Sequence, residues 1–143
     1  MKRPRKAKLK RQSGVLAFVR RSSGYKLVLV TPRGCPSSVW ILPKGNVEKG
    51  MSSGDSAEKE AFEEAGIEGM RSRRPVAFYS YRKKGATHRV AVFLLRVRRM
   101  HENWDEEMQR SRELFSMPEA LKVIRTPRLA KLIKKLPRLA KGL

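Results

Sequence analysis

The chain has 143 residues and 34 Lys and Arg against 13 Asp and Glu, a net charge of +21. The length suits one domain, no apolar run approaches the ~20 residues needed to span a bilayer, and the single Cys35 can form no internal disulfide and offers no zinc cluster. With only His88 and His101 present, a histidine-based catalytic relay is poorly supplied; a field this positive attracts phosphates and raises association rates but says little about fold.

Residues 1–11 hold seven basic and no acidic side chains, the composition of a disordered polyanion-binding arm. They contain no aromatic residue for base stacking and no apolar stretch of a secretory signal. The expectation is an inert tail or nonspecific nucleic-acid contact, in a cytoplasmic protein. From there, Val15–Val19 and Lys26–Thr31 read as strands joined by a Ser22-Ser-Gly turn, and Trp40–Leu42 as a short strand. A helix follows in the fifties and sixties. Val76–Arg82 and His88–Val97 read as a hairpin pair around Lys83-Lys84-Gly85, and Glu113–Ser116 as a last short strand. Pro118–Ile124 begins one helix, and Arg128–Leu136 is a second, with an apolar stripe of Leu129, Leu132, Ile133 and Leu136 that suits packing on a sheet. Pro-Arg-Leu-Ala-Lys occurs at 127–131 and again at 137–141, too few copies for a repeat architecture. The reading is a basic arm over 1–11, one domain over 12–137 and a basic tail over 138–143.

The central helix carries the chemistry. Ser52 or Ser53 can cap its start and Gly66 can end it in a left-handed conformation. Ala57, Ala61 and Ala65, with Phe62 beside them, give an apolar face. Glu60, Glu63 and Glu64 share another face, where like charges repel by a few tenths of a kcal/mol per pair unless a cation intervenes. A bare acidic face of this kind is usually just solvated, but carboxylates are also the preferred ligands of Mg2+, which keeps sites open for water and substrate phosphates.

The surroundings favour the metal. Gly45, Glu60, Ala61, Glu63, Glu64, Gly66 and Ile67 fall in register with G-x5-E-x7-R-E-U-x-E-E-x-G-U, where U is apolar, and Leu42-Pro43-Lys44-Gly45 leads into it. This stretch resembles the Nudix hydrolases. The resemblance implies an α/β fold with a mixed β-sheet sandwiched between α-helices, and attack of water on a diphosphate linkage with Mg2+ or Mn2+ on the glutamates. It implies Glu60, Glu64 and the Lys44 carbonyl as first metal ligands, with Glu63 beside them as general base; family members differ in which carboxylate takes the proton, and Glu60 is the other candidate. Two positions depart: Met51 stands where the first Glu belongs and Lys59 where Arg belongs. Arg offers a planar fork and Lys a point charge, so the second change is not conservative, but with the Glu missing too there is one fewer acceptor to orient.

Trp104 to Phe115, then Met117 to Leu121 and Pro127 to Leu136, are similar to the C-terminal part of the diphosphoinositol polyphosphate phosphohydrolases, which often also cleave diadenosine polyphosphates. That similarity implies a small polyphosphorylated substrate held by Arg33, Lys44, Gly45, Arg82, Lys83, Lys84, His88 and Arg110, since Arg and Lys supply charge-assisted donors to phosphate. The alternative is a Nudix domain with weakened turnover, marked by Met51 and Lys59, serving as a phosphate- or RNA-binding module. The sequence marks no oligomer interface.

Overall fold

The computed structural model describes residues 8–34 and 38–143; residues 1–7 of the basic arm, and Cys35, lie outside the described residues. Along the chain run β1 (Lys8–Arg21), β2 (Gly24–Val30), β3 (Lys44–Asn46), α1 (Ser53–Ala65), β4 (Ile67–Arg71), β5 (Ala77–Lys83), β6 (Ala86–Met100), β7 (Arg112–Ser116), α2 (Met117–Val123), α3 (Pro127–Lys134) and α4 (Leu136–Ala140). The strands form one sheet in the order β4-β6-β1-β2-β7, with β3 also on β1 and β5 also on β6. The β1–β6 pair is parallel and the other pairs are antiparallel, so the sheet is mixed.

Period-2 alternation in the central strands places helices on both faces. Leu16 and Phe18 of β1, Leu27 and Leu29 of β2, and Val90, Val92 and Leu94 of β6 pack with α2, α3 and α4. The intervening Val15, Ala17, Val28, Val30, Ala91, Phe93 and Leu95 pack with Ala57, Ala61 and Ala65 of α1. Both neighbours of each apolar residue are therefore apolar, the pattern of strands buried on both sides. No helix among the described residues is long and apolar enough to cross a membrane.

Several boundaries differ from the sequence reading. Lys8–Arg11 are not part of a disordered arm: they extend β1 and pair with Ala86–Arg89 of β6. Backbone groups make that ladder, so a segment with three cations in four residues can join it while all four side chains stay exposed. Nor are residues 138–143 a free tail. Leu136 and Ala140 of α4 are buried, Leu139 and Leu143 pack against the core, and Arg96 Nη1 donates to the Leu143 carbonyl at 3.1 Å. Trp40–Leu42 is reduced to one bridge, Ile41 to Val30, and the strand falls instead at β3. The β5–β6 turn is tighter than expected: Lys84 and Gly85 both have positive φ, 51° and 74°, as a two-residue hairpin turn of this hand requires.

The tail's incorporation is checkable. Leu136, fully buried, contributes to the core beneath the last helices, so Leu136→Ala is expected to lower stability by about 2–5 kcal/mol, read from the midpoint of a urea unfolding curve. A free basic tail would give a change close to zero.

Candidate active site

Helix α1 lies close on the sheet because its contact face is built from alanines, each with no exposed surface at positions 57, 61 and 65. Ser52 is its N-cap, accepting from the Asp55 amide, and Gly66 closes it at φ 62°. A side chain at Gly66 would run into Trp104, whose Cβ lies 2.7 Å from where a Cβ would stand. Phe62, expected on the apolar face, is instead 42% exposed and meets His101 edge to face.

The close approach presses the acidic face of α1 against β3. Gly45 has no room for a side chain, since a Cβ there would overlap the Glu60 carboxyl group. The Lys44 amide donates to Glu64 Oε2 at 3.1 Å, and Glu64 is almost fully buried. Burial pushes the Glu64 carboxyl up to about 8, against the opposing pull of Arg110 and of the Lys44 amide. Glu60 is also raised, first by burial, then by repulsion from Glu63 and Glu106, with a hydrogen bond to Glu64 acting the other way. Two carboxyl groups in contact, each with a raised proton affinity, are a pair that a cation would relieve.

Glu63 is turned elsewhere. Its carboxylate lies 3.5 Å from Lys59 Nζ, and Lys59 also pairs with Glu48. Glu48 thus supplies a carboxylate to the lysine three residues before Met51, the position where the family pattern has its first Glu. The structure accordingly brings together Glu60 and Glu64 rather than all three glutamates. Among the described residues, no three His, Cys, Asp or Glu side chains are grouped closely enough to hold a metal ion as they stand. The donor chemistry still fits a hard divalent cation that keeps water in its shell: an adjacent carboxylate pair with backbone beside it.

Glu106 is the residue that sequence reasoning missed. Its amide donates to the Glu63 carbonyl at 3.1 Å, and its Oε1 accepts from Arg33 Nη2 and Arg110 Nε, both at 2.9 Å. Burial alone would raise its carboxyl; the two arginines outweigh that and hold it below the usual range. Arg110 reaches on to Glu64 Oε1 at 3.2 Å and to the Thr31 carbonyl at 3.0 Å. Arg33, Glu106, Arg110 and Glu64 therefore form a chain of ion pairs from the exposed rim to the buried carboxyl. Arg110, expected to bind substrate, has its Nε, Nη1 and Nη2 directed at Glu106, Thr31 and Glu64. No local pattern marks Glu106, because its partners lie on three other segments.

On the opposite face of the sheet a cavity of about 250 Å3 is lined by Leu42, Lys44, Tyr79, Tyr81, Lys83 and Arg125, among others. Lys44 links it to the carboxylates: its amide faces Glu64, while its Nζ donates to the Tyr81 hydroxyl at 2.9 Å. Tyr81 in turn donates to Gln12 Oε1 at 2.6 Å. His88, expected on the turn, is buried in β6 and stacks on Tyr81 with ring centroids 4.7 Å apart. Lys84 is exposed on the turn and Arg82 on β5. Lys83 alone of the three hairpin cations lines this cavity, and Arg125 was not anticipated.

Residues 10–136 match the NUDIX domain, and the chain belongs to the Nudix family. It is 32% identical over 117 residues to diphosphoinositol polyphosphate phosphohydrolase 2 of Rattus norvegicus, covering 80% of this chain and 63% of that one. It is also 32% identical over 117 residues to diphosphoinositol polyphosphate phosphohydrolase 3-beta of Bos taurus, covering 69% of it. The chain thus spans a little under two thirds of the length of the first of these curated relatives. Among solved structures it is similar to a binary complex of the C. elegans Ap4A hydrolase, with a TM-score of 0.73 at 18% identity over 94% of this chain and 99% of that one. A NUDIX hydrolase from Nitrosomonas europaea superposes with a TM-score of 0.68 at 22% identity, over 94% and 91%. At these identities the likeness to solved structures is one of fold.

The raised Glu64 carboxyl carries a pH signature. A carboxyl whose proton affinity rises on folding binds more protons folded than unfolded, so its contribution is fully present below the unfolded value of about 4.5 and is lost as pH rises toward about 8. The metal-free protein is therefore expected to lose stability between those pH values, and Glu64→Gln, neutral throughout, to flatten that dependence. Chemical denaturation across the range measures both; parallel curves for the two proteins would contradict the burial argument.

Proposed function

We propose that this chain is a metal-dependent pyrophosphohydrolase that cleaves a diphosphate linkage in a small polyphosphorylated molecule, either a diphosphoinositol polyphosphate or a dinucleoside polyphosphate. The observation that carries the reading is the Glu60–Glu64 pair, the first half-buried and the second almost fully buried, pressed onto the Lys44-Gly45 backbone, with Lys44 also lining the basic cavity. Glu60, Glu64 and the Lys44 carbonyl would hold Mg2+ or Mn2+, which when bound supplies charge neutralisation and lowers the pKa of its water. The names of the curated relatives support the substrate class.

The chain's own residues divide the remaining work. Glu63 takes the proton of the attacking water, with Lys59 holding its carboxylate, and Glu60 is the base if Glu63 proves dispensable. Lys44 and Lys83 donate to substrate phosphates from the cavity wall, joined by Arg125, while Arg33 serves at the rim. Charged donors converging on a cavity suit a densely phosphorylated ligand. Arg82 and Lys84, exposed on the hairpin, extend the basic surface outward. Residues 1–11 add nonspecific attraction for nucleic acid.

One observation favours a second reading. The ammonium of Lys59 beside Glu63 competes with proton transfer, as it would in a domain with weakened turnover that works as a phosphate- or RNA-binding module. The enzyme reading is preferred because a binder of anions gains nothing from two carboxyl groups packed together with raised proton affinity. Phosphate release in Mg2+ from a panel of diphosphoinositol and dinucleoside polyphosphates separates the two; no release from any member would favour the binding module.

With an active substrate in hand, Glu63→Gln is expected to lower kcat by about 10²–10⁴-fold with little change in KM, because it removes a base and retains shape. A variant with unchanged kcat would move the role to Glu60.

A further inference from the structure

On the α1 side of the sheet, α1 covers β1, β2 and the far half of β6, but not the end where β5, β6 and the start of β1 run together. The strand register sets three rows of side chains across that end: Leu9, Thr87 and Arg82; Arg11, Arg89 and Ser80; Ser13, Ala91 and Phe78. Leu9 is 59% and Phe78 38% exposed, large apolar groups on a surface that sheets of this kind ordinarily cover. Between them runs a groove of about 330 Å3 lined by Leu9, Arg11, Pro75, Phe78, Arg89 and Ala91, among others.

The charges in this groove are arranged against themselves. Arg11 and Arg89 are direct cross-strand neighbours, a like-charge placement that destabilises a sheet. Among the described residues neither forms an ion pair, and residues 1–7 and 35–37 contain no carboxylate side chain that could serve. The Arg89 guanidinium lies over the Phe78 ring, 4.6 Å from its centroid, so cation and ring form one stack of flat groups on the open face. Paired cations without counter-ions call for an anion, and a half-exposed aromatic ring beside them calls for a flat, unsaturated partner.

We propose that this face binds a single strand of nucleic acid, with phosphates on Arg11 and Arg89 and a base stacked at Phe78. Aromatic platforms beside a basic track are how sequence-tolerant single-strand binding is built. The site is separate from the cleft, whose cavity opens on the other face of the sheet through Lys44 and Tyr81. It is also independent of the proposed hydrolysis.

The test is fluorescence anisotropy with the full chain and labelled oligouridylate and oligothymidylate of about 12 nucleotides, over a salt series. Binding of either homopolymer supports the proposal, and the ratio of the two affinities says whether RNA or DNA is preferred. Phe78→Leu, which keeps the apolar body and removes the ring, is expected to weaken binding about tenfold, while Phe78→Tyr retains it. Arg11→Ala/Arg89→Ala is expected to reduce the log–log salt slope by about 1.4, at about 0.7 per single-strand phosphate contact. Melting curves confirm that each variant is folded, and Glu60→Gln/Glu64→Gln should bind the strand as the wild type does. Three results would overturn the proposal: no strand binding by the wild type; binding that survives Phe78→Leu and the double arginine change alike; or a wild-type dimer in sedimentation that Phe78→Leu dissociates, which would make this face a contact between copies.

Discussion

Everything at the site depends on how closely α1 can approach the sheet. Alanine at 57, 61 and 65 and glycine at 45 remove the side chains that would hold helix and sheet apart, and the acidic face of the helix is then forced onto the β3 backbone. A larger residue at any of these positions would move Glu60 and Glu64 outward into water, where their mutual repulsion would be screened and their carboxyl groups would titrate ordinarily. Small residues on one face and carboxylates on the other therefore belong to a single device. Packing supplies the force that holds two acids together, and Arg110 with the Lys44 amide stabilises the arrangement from either side.

Charge is distributed as unevenly as it is abundant. Every Asp and Glu except Glu113 and Glu119 lies between Glu48 and Glu68 or between Glu102 and Glu107, on α1, β4 and the flanking loops. Residues 120–143 contain no carboxylate side chain, and the strand ends near the β5–β6 turn are equally one-sided. The molecule thus presents an acidic centre inside a basic shell. Such a field concentrates polyanions near the cleft and near the open sheet face alike. Selectivity between them then falls to local chemistry: carboxylates and a basic cavity in one case, an aromatic ring in an open groove in the other.

Much of this was legible in the amino-acid sequence, and the exceptions have physical reasons. The helix could be read from its caps and four-residue alanine spacing because those signals are local. Strand β4 escaped because Ile67-Glu-Gly-Met-Arg carries only one buried residue and turns a bulge at Gly69, where a Cβ would strike the Arg96 carbonyl. Lys8–Arg11 looked disordered because charge density was the only cue, whereas the ladder to β6 is made by backbone. Glu106 and the inward turn of Arg110 depend on Arg33, Thr31 and Glu64 from distant segments, which no window on the chain contains. The departures at Met51 and Lys59 were visible, but the answering Glu48 was not, because a salt bridge between a loop and a helix is a tertiary event.

The central claim is that Glu60 and Glu64 form a platform for a divalent cation. Calorimetric titration of the metal-free protein with Mn2+ at a pH above 8 tests it most directly, since there the Glu64 proton no longer competes. The account predicts saturable binding in the wild type that Glu60→Gln/Glu64→Gln abolishes while the fold is retained. A wild type that takes up no cation, or a double variant that binds as tightly, would contradict it.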